Sequence, residues 1–172
     1  MAMAPLVPER FALAPMTLGL LVLTAALWVL PVLFALSARA VPAPMSVALY
    51  ACAAFMVVLY GSVYFVWRPR AFVVDSTSLT LEWPVRKCVI SRSHVTGVRV
   101  VSSKEFRSEY GFGIRIGAGG LWGGFGWLKC GATTFSMWIS RTDQFVLVTL
   151  KDAKPLMITP VNPERFAARL RQ

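Results

Sequence analysis

The chain has 172 residues, 56% of them hydrophobic, with a mean hydropathy of +0.61, a formal net charge of +10 and three cysteines. That length leaves room for one small domain beside any membrane segment, and the apolar excess excludes a disordered, highly solvated chain. The odd cysteine count, with Cys52 inside an apolar run, argues against a paired disulfide framework and fits a reducing compartment.

Residues 1–14 contain prolines and are only partly polar. The apolar runs 16–36 and 46–67 follow, each close to the roughly 20 residues that a helix needs to cross a hydrocarbon core of about 30 Å. Pro15 suits a first helical turn, Pro31 is expected to bend the first helix, and Pro42 and Pro44 punctuate the connector. The runs predict a transmembrane hairpin over residues 1–69, with helices at about 15–36 and 46–67. No charged residue lies between Arg10 and Arg39 or between Arg39 and Arg68. Transport and proton relay need intramembrane ionisable groups, so the pair reads as an anchor.

Of the 18 Lys and Arg residues only Arg10 and Arg39 precede Arg68. Excess positive charge marks the cytoplasmic flank of membrane helices, here Arg68, Arg70, Arg86 and Lys87. The expected arrangement is a multi-pass protein of the inner (cytoplasmic) membrane with both termini and the later domain in the cytoplasm. Cleavage of the first run as a signal peptide after Ala38-Arg39-Ala40 is the competing reading. The run is too long and its start too weakly basic for that class, and Arg68 and Arg70 hold the later domain inside in either case.

From Ala71 the period changes. Phe72-Val73-Val74, the turn Asp75-Ser76-Thr77-Ser78 and the alternating Leu79-Thr80-Leu81-Glu82-Trp83 predict a β-hairpin. Strands are expected at 85–90, 95–101 and 112–116, with Glu105 and Glu109 at helical spacing in a polar connector between the last two. Further strands are expected at 124–130, 134–140, 145–150 and 156–159. Short strands at this spacing indicate an antiparallel barrel or sandwich of about seven strands. After Pro160, Asn162 is a suitable N-cap and Pro163 a suitable first helical residue. A C-terminal capping helix is predicted at about 163–171, with Phe166 and Leu170 on one face.

The segment Gly120-Leu121-Trp122-Gly123-Gly124-Phe125-Gly126, the strands at 135–140 and 145–150, and the ending Ile158-Thr159-Pro160-Val161-Asn162-Pro163-Glu164-Arg165-Phe166 resemble bacterial pleckstrin-homology-like (PH-like) domains. The resemblance covers roughly Arg70 to Leu170, within a domain expected over residues 70–172, and such domains often follow membrane helices. Ala153 departs from it, standing where the family often has a turn glycine. It implies a PH-like barrel sealed by its helix, in a membrane-anchored α+β, mainly β, protein. PH domains that recognise phosphoinositides carry basic residues on the first hairpin. The turn at Asp75 to Ser78 lacks them, which argues against that specificity.

The glycine cluster lacks the spacing of a phosphate-binding loop and is flanked by strands. Glycine there serves backbone needs, such as a positive φ or close strand approach. Leu121, Trp122, Phe125 and Trp127 are the candidate partner contact, against the plainer reading that Phe125 and Trp127 fill the core and Trp122 caps the barrel. Trp67, Arg68, Arg70, Arg86 and Lys87 are the candidate residues for the membrane interface and anionic lipid headgroups, although the positive-inside rule alone accounts for such residues. The dispersed charge carries no nucleic-acid motif. The lone His94, with Cys88 and Cys130, makes no convincing zinc set, and Ser91 and Ser93 have no acid partner for a triad.

No catalytic residue, cofactor or metal is therefore expected. The leading expectation is a non-enzymatic, membrane-anchored interaction module, a scaffold or accessory subunit with a protein partner or self-association. The alternatives are an integral subunit of a transport or enzyme complex contributing mainly its helices, and an anionic-lipid-sensing domain.

Overall fold

The structure is a computed structural model that describes residues 7–172; the first six residues of the Pro-containing N-terminal segment lie outside the described residues. Two long helices, α1 (Leu18–Ser37) and α2 (Ala43–Ser62), run antiparallel across a short turn, and α2 continues as a wide π turn at Val63–Trp67. α1 begins three residues later than the expected 15–36 and α2 three residues earlier than the expected 46–67, and both end close to where the apolar runs suggest. Pro31 lies within an unbroken α1. Over the spans Leu18–Ala40 and Ala43–Trp67 only 11% and 17% of the most apolar stretch is buried. The core helix of a soluble protein is mostly covered, so these helices have the length and exposed apolar faces of membrane-crossing elements.

The segment ahead of α1 does not simply lead into the anchor. Glu9–Ala12 forms β1, which pairs antiparallel with β2 (Ala71–Val74) on the far side of both helices. Phe11 and Leu13 alternate inward and are buried. Phe11 meets the Phe166 ring edge-on at 5.2 Å. The Leu13 N–H donates to the Arg70 carbonyl at 3.1 Å, and the Ala14 N–H to the Thr159 carbonyl at 2.8 Å. Both ends of the hairpin are thus stitched into one sheet edge.

β3 (Ser78–Glu82) and β4 (Lys87–Ser91) complete a four-stranded sheet in the order β1-β2-β3-β4. The second sheet holds β5 (Val95–Ser102), β6 (Ile114–Gly119), β7 (Gly124–Cys130), β8 (Thr133–Ile139), β9 (Gln144–Leu150) and β10 (Leu156–Ile158), in the order β5-β9-β10-β8-β7-β6. Every strand segment marked in the sequence is present. The sheet is not purely antiparallel, because the turn after β9 returns β10 between β9 and β8 and parallel to β8.

The polar connector is itself a helix, α3 (Ser103–Tyr110). Ser102 and Glu105 form a reciprocal capping box that satisfies two amide donors. The C-terminal helix α4 (Pro163–Arg171) lies where the sequence places it, but Asn162 caps it differently from expectation. Its φ of 55° is left-handed and its side chain makes no cap hydrogen bond; its carbonyl accepts the Phe166 N–H at 3.0 Å.

One core lies between the sheets and under α4, with Phe72, Leu79, Leu81, Val148, Ile158 and Phe166 at its centre. A second lies under α3, where Phe106 meets the rings of Phe135 and Phe145. Each such side chain contributes about 1.5–3 kcal/mol by leaving water. Glycine is structural at the Gly117–Gly126 cross-strand pair. Both have positive φ, 132° and 125°, and a Cβ at either would strike a carbonyl of the opposite strand.

Candidate functional site

The strand ends nearest the helices gather aromatic and basic side chains around the end of α2. The loop 120–123 closes on itself through the Gly120 N–H, which donates to the Gly123 carbonyl at 2.9 Å, and leans on the hairpin. The Thr24 hydroxyl of α1 donates to the Gly120 carbonyl and accepts the Trp122 backbone N–H, each at 3.1 Å. The Trp122 indole N–H reaches the Tyr60 carbonyl at 3.3 Å, and the ring lies 5.2 Å from Tyr64 and 6.3 Å from Trp28. Thr24 is buried, so this hydroxyl lies where an unpaired polar group is costly.

This geometry revises the expected partner contact. Leu121 and Phe125 are buried against Tyr60 and Val63, and Trp122 is half-buried in the same cluster. Three of the candidates are taken up by the chain's own helices, which a loop's sequence does not reveal. Trp127 alone is exposed, at 44%.

The basic candidates divide as well. The Trp83 indole N–H donates to the Trp67 carbonyl at 2.9 Å and so draws the β3–β4 turn to the helix end. Arg86 lies over the rings of Trp83 and Trp138, at 4.6 and 5.9 Å. Arg68 lies 5.3 Å from the Tyr64 ring, and its Nε is buried with no hydrogen-bond partner among the described residues. Arg70 is exposed. Lys87 is engaged elsewhere: it pairs with Glu82 at 2.9 Å, which also holds Arg10 at 3.1 Å. Lys87 first, and then Arg10, hold the Glu82 carboxyl below its usual range against the opposing effect of burial. Arg68 and Arg86 lie on rings that suit a membrane interface, and the exposed Arg70 follows in the chain just after the helix end.

The first hairpin turn points the other way. β2 starts beside the helix end at Ala71 and runs outward, placing Asp75 about 13 Å along the strand. The Asp75 carboxylate accepts the N–H groups of Thr77 and Ser78 at 2.6 and 2.7 Å. The Thr77 N–H above all lowers its pKa to about 2. Arg92 spans from the Asp75 carbonyl at 3.0 Å to the Leu170 carbonyl at 2.7 Å, tying this turn to the end of α4, where a cation also suits the helix dipole.

His94 ends a 3-10 turn at this far end, while Cys88 lies on β4 and Cys130 at the end of β7. Cys130 is buried, and burial raises its thiol pKa. Among the described residues no three His, Cys, Asp or Glu side chains come together as a metal site. Sequence reasoning missed Thr24, Tyr60, Trp83, Trp138 and Arg92. The legible signal for the first was a hydroxyl in the interior of an apolar helix.

Two sheets enclosing a core sealed by a C-terminal helix, held against a helical hairpin, define a PH-like domain on a candidate membrane anchor. A family model described as a bacterial PH domain matches residues 70–172, more than half of the chain, and the chain belongs to that family. PH domains are generally non-catalytic modules that mediate protein or lipid interactions, and no enzymatic family is matched. No curated protein and no solved structure matches the chain.

Proposed function

We propose that the protein is a non-enzymatic, membrane-anchored interaction module, a scaffold or accessory subunit whose PH-like domain meets a protein partner at the inner face of the cytoplasmic membrane. Residues 1–69 serve as the anchor and 70–172 as the interacting unit, with β1 lent by the anchor segment to the sheet. The observation that carries the reading is the double attachment of the domain to the hairpin, through β1 and through the Thr24–Trp122 contact. That attachment gives the domain a fixed attitude to the helices. A merely tethered domain does not need it, and a surface that must present itself to another membrane component gains from it.

Photo-cross-linking side chains introduced in native membranes test this. Adducts with one protein are expected from exposed β-domain positions such as Val89 and Trp127. Adducts confined to outward helix positions such as Leu33 and Phe55 would overturn it in favour of a subunit that contributes mainly its helices. A second reading, preference for anionic lipid, is favoured by Arg68, Arg70 and Arg86 at the helix end. It predicts that anionic lipid stabilises the chain through those side chains.

A further inference from the structure

The six-stranded sheet has an inner row that loses its cover part-way across. Register aligns Val148, Leu156, Ser136, Trp127 and Ile116 on one face of β9, β10, β8, β7 and β6. Val148 and Leu156 lie beneath the first sheet at 0% and 6% exposure, whereas Trp127 and Ile116 stand at 44% and 49%. In the next row toward the helices Phe125 is 0% exposed, because Tyr60, Val63 and Leu121 cover it.

Cover fails because β4 is the last strand of the first sheet. Cys88 pairs with the buried Leu81 and so faces inward, yet it is exposed. Between β4 and the second sheet lies an open cleft of about 810 Å³, with Val89 and Ile90 on one side, Ser136 and Leu156 beneath, and Leu150 and Lys154 at its far end. A free strand edge beside an uncovered apolar row suits an added extended chain, which satisfies the edge by backbone pairing and the row by alternate side chains.

The rim identifies the chemistry of that chain. Lys129 stands opposite Ile114, Lys154 lies 5.2 Å from the Trp127 ring, and Lys151 and His94 border the cleft, with Asp152 as the acid among them. A second copy of this chain, at a net charge of +10, would bring like charge to that rim. We propose that the cleft beside β4, together with the uncovered Trp127 and Ile116 that continue its floor onto β7 and β6, takes an extended segment of a partner protein, with alternating apolar and acidic side chains, as a strand added along β4. The proposal rests on the interaction-module reading and names the partner's chemistry.

The test uses the full chain in nanodiscs of neutral phosphatidylcholine, read by fluorescence anisotropy. The probes are a labelled peptide alternating Val and Glu, its Val–Lys counterpart, and a Val–Glu peptide interrupted by Pro. The Val–Glu peptide is expected to bind at least about tenfold more tightly than either control. Trp127→Ser with Ile116→Ser, both at exposed positions, is expected to remove that binding. Lys129→Glu with Lys154→Glu is expected to reverse the preference toward Val–Lys. Equal binding of the Pro-interrupted peptide, absence of Val–Glu binding, or binding indifferent to Trp127 and Ile116 overturns the proposal. A dimer dispersed by those two substitutions also overturns it, by making a second copy the occupant. Cross-links from other β-domain positions without peptide binding here would overturn the cleft and leave the interaction-module reading standing, whereas cross-links confined to the helices would overturn that reading.

Discussion

Thr24 and Trp122, almost a hundred residues apart in the chain, share one buried hydroxyl: it accepts the Trp122 backbone N–H and donates to the Gly120 carbonyl beside it. Thr24→Val keeps the shape and removes both bonds, leaving a donor and an acceptor unpaired at a buried contact. The expected loss is about 1–3 kcal/mol at the domain–hairpin junction. Amide exchange at residues 120–123 should accelerate, while exchange within β8 and β9 stays slow.

The β1 strand supplies a second expectation. Phe11 is 5% exposed and stacks edge-on against Phe166. Phe11→Ala should destabilise the β-domain by about 3–5 kcal/mol, as for a large buried ring truncated to Ala. Denaturant unfolding of the detergent-solubilised chain, followed by Trp fluorescence, measures it.

These two contacts show what the sequence makes legible. The hairpin, β7 at Gly124–Cys130 and the helix at Pro163–Arg171 are local patterns of period, charge and capping, and the structure has them at or near the expected residues. β1 is four residues whose partner Val74 lies beyond both helices, so no local pattern announces the pairing. Leu121 and Trp122 read as exposed because loops usually are; what covers them is the helical hairpin, a tertiary neighbour. The helix α3 was within reach, since Ser102 with Glu105 three residues on is a capping signature.

Acid should weaken the first hairpin. The Asp75 pKa lies at about 2 against an ordinary 3.8, so its carboxylate contributes stability that is complete above pH 3.8 and is lost as pH falls through about 2. Glu82 and Asp143 are also lowered and add to the same acid-side loss. Asp75→Asn should flatten the part of the pH–stability curve between those two values, with the difference from wild type vanishing at the acid end. Thermal unfolding across that range reads it.

Arg68 and Arg86 lie on rings beside the end of α2. If anionic headgroups reach them, each adds about 1 kcal/mol of attraction that salt screens. The thermal midpoint in phosphatidylglycerol nanodiscs should exceed that in phosphatidylcholine ones, and Arg68→Gln with Arg86→Gln should shrink the difference. An unchanged difference removes the lipid reading.

The attachment of the β-domain to the inner face of the membrane is the central claim, and the chain carries its own reporter. Cys88 is exposed on β4, Cys130 is buried, and Cys52 lies within α2. A membrane-impermeant maleimide applied to sealed vesicles of both orientations tests it most directly. Cys88 is expected to be modified in inside-out vesicles and protected in right-side-out ones. Modification of Cys88 from the outer face of right-side-out vesicles would contradict it.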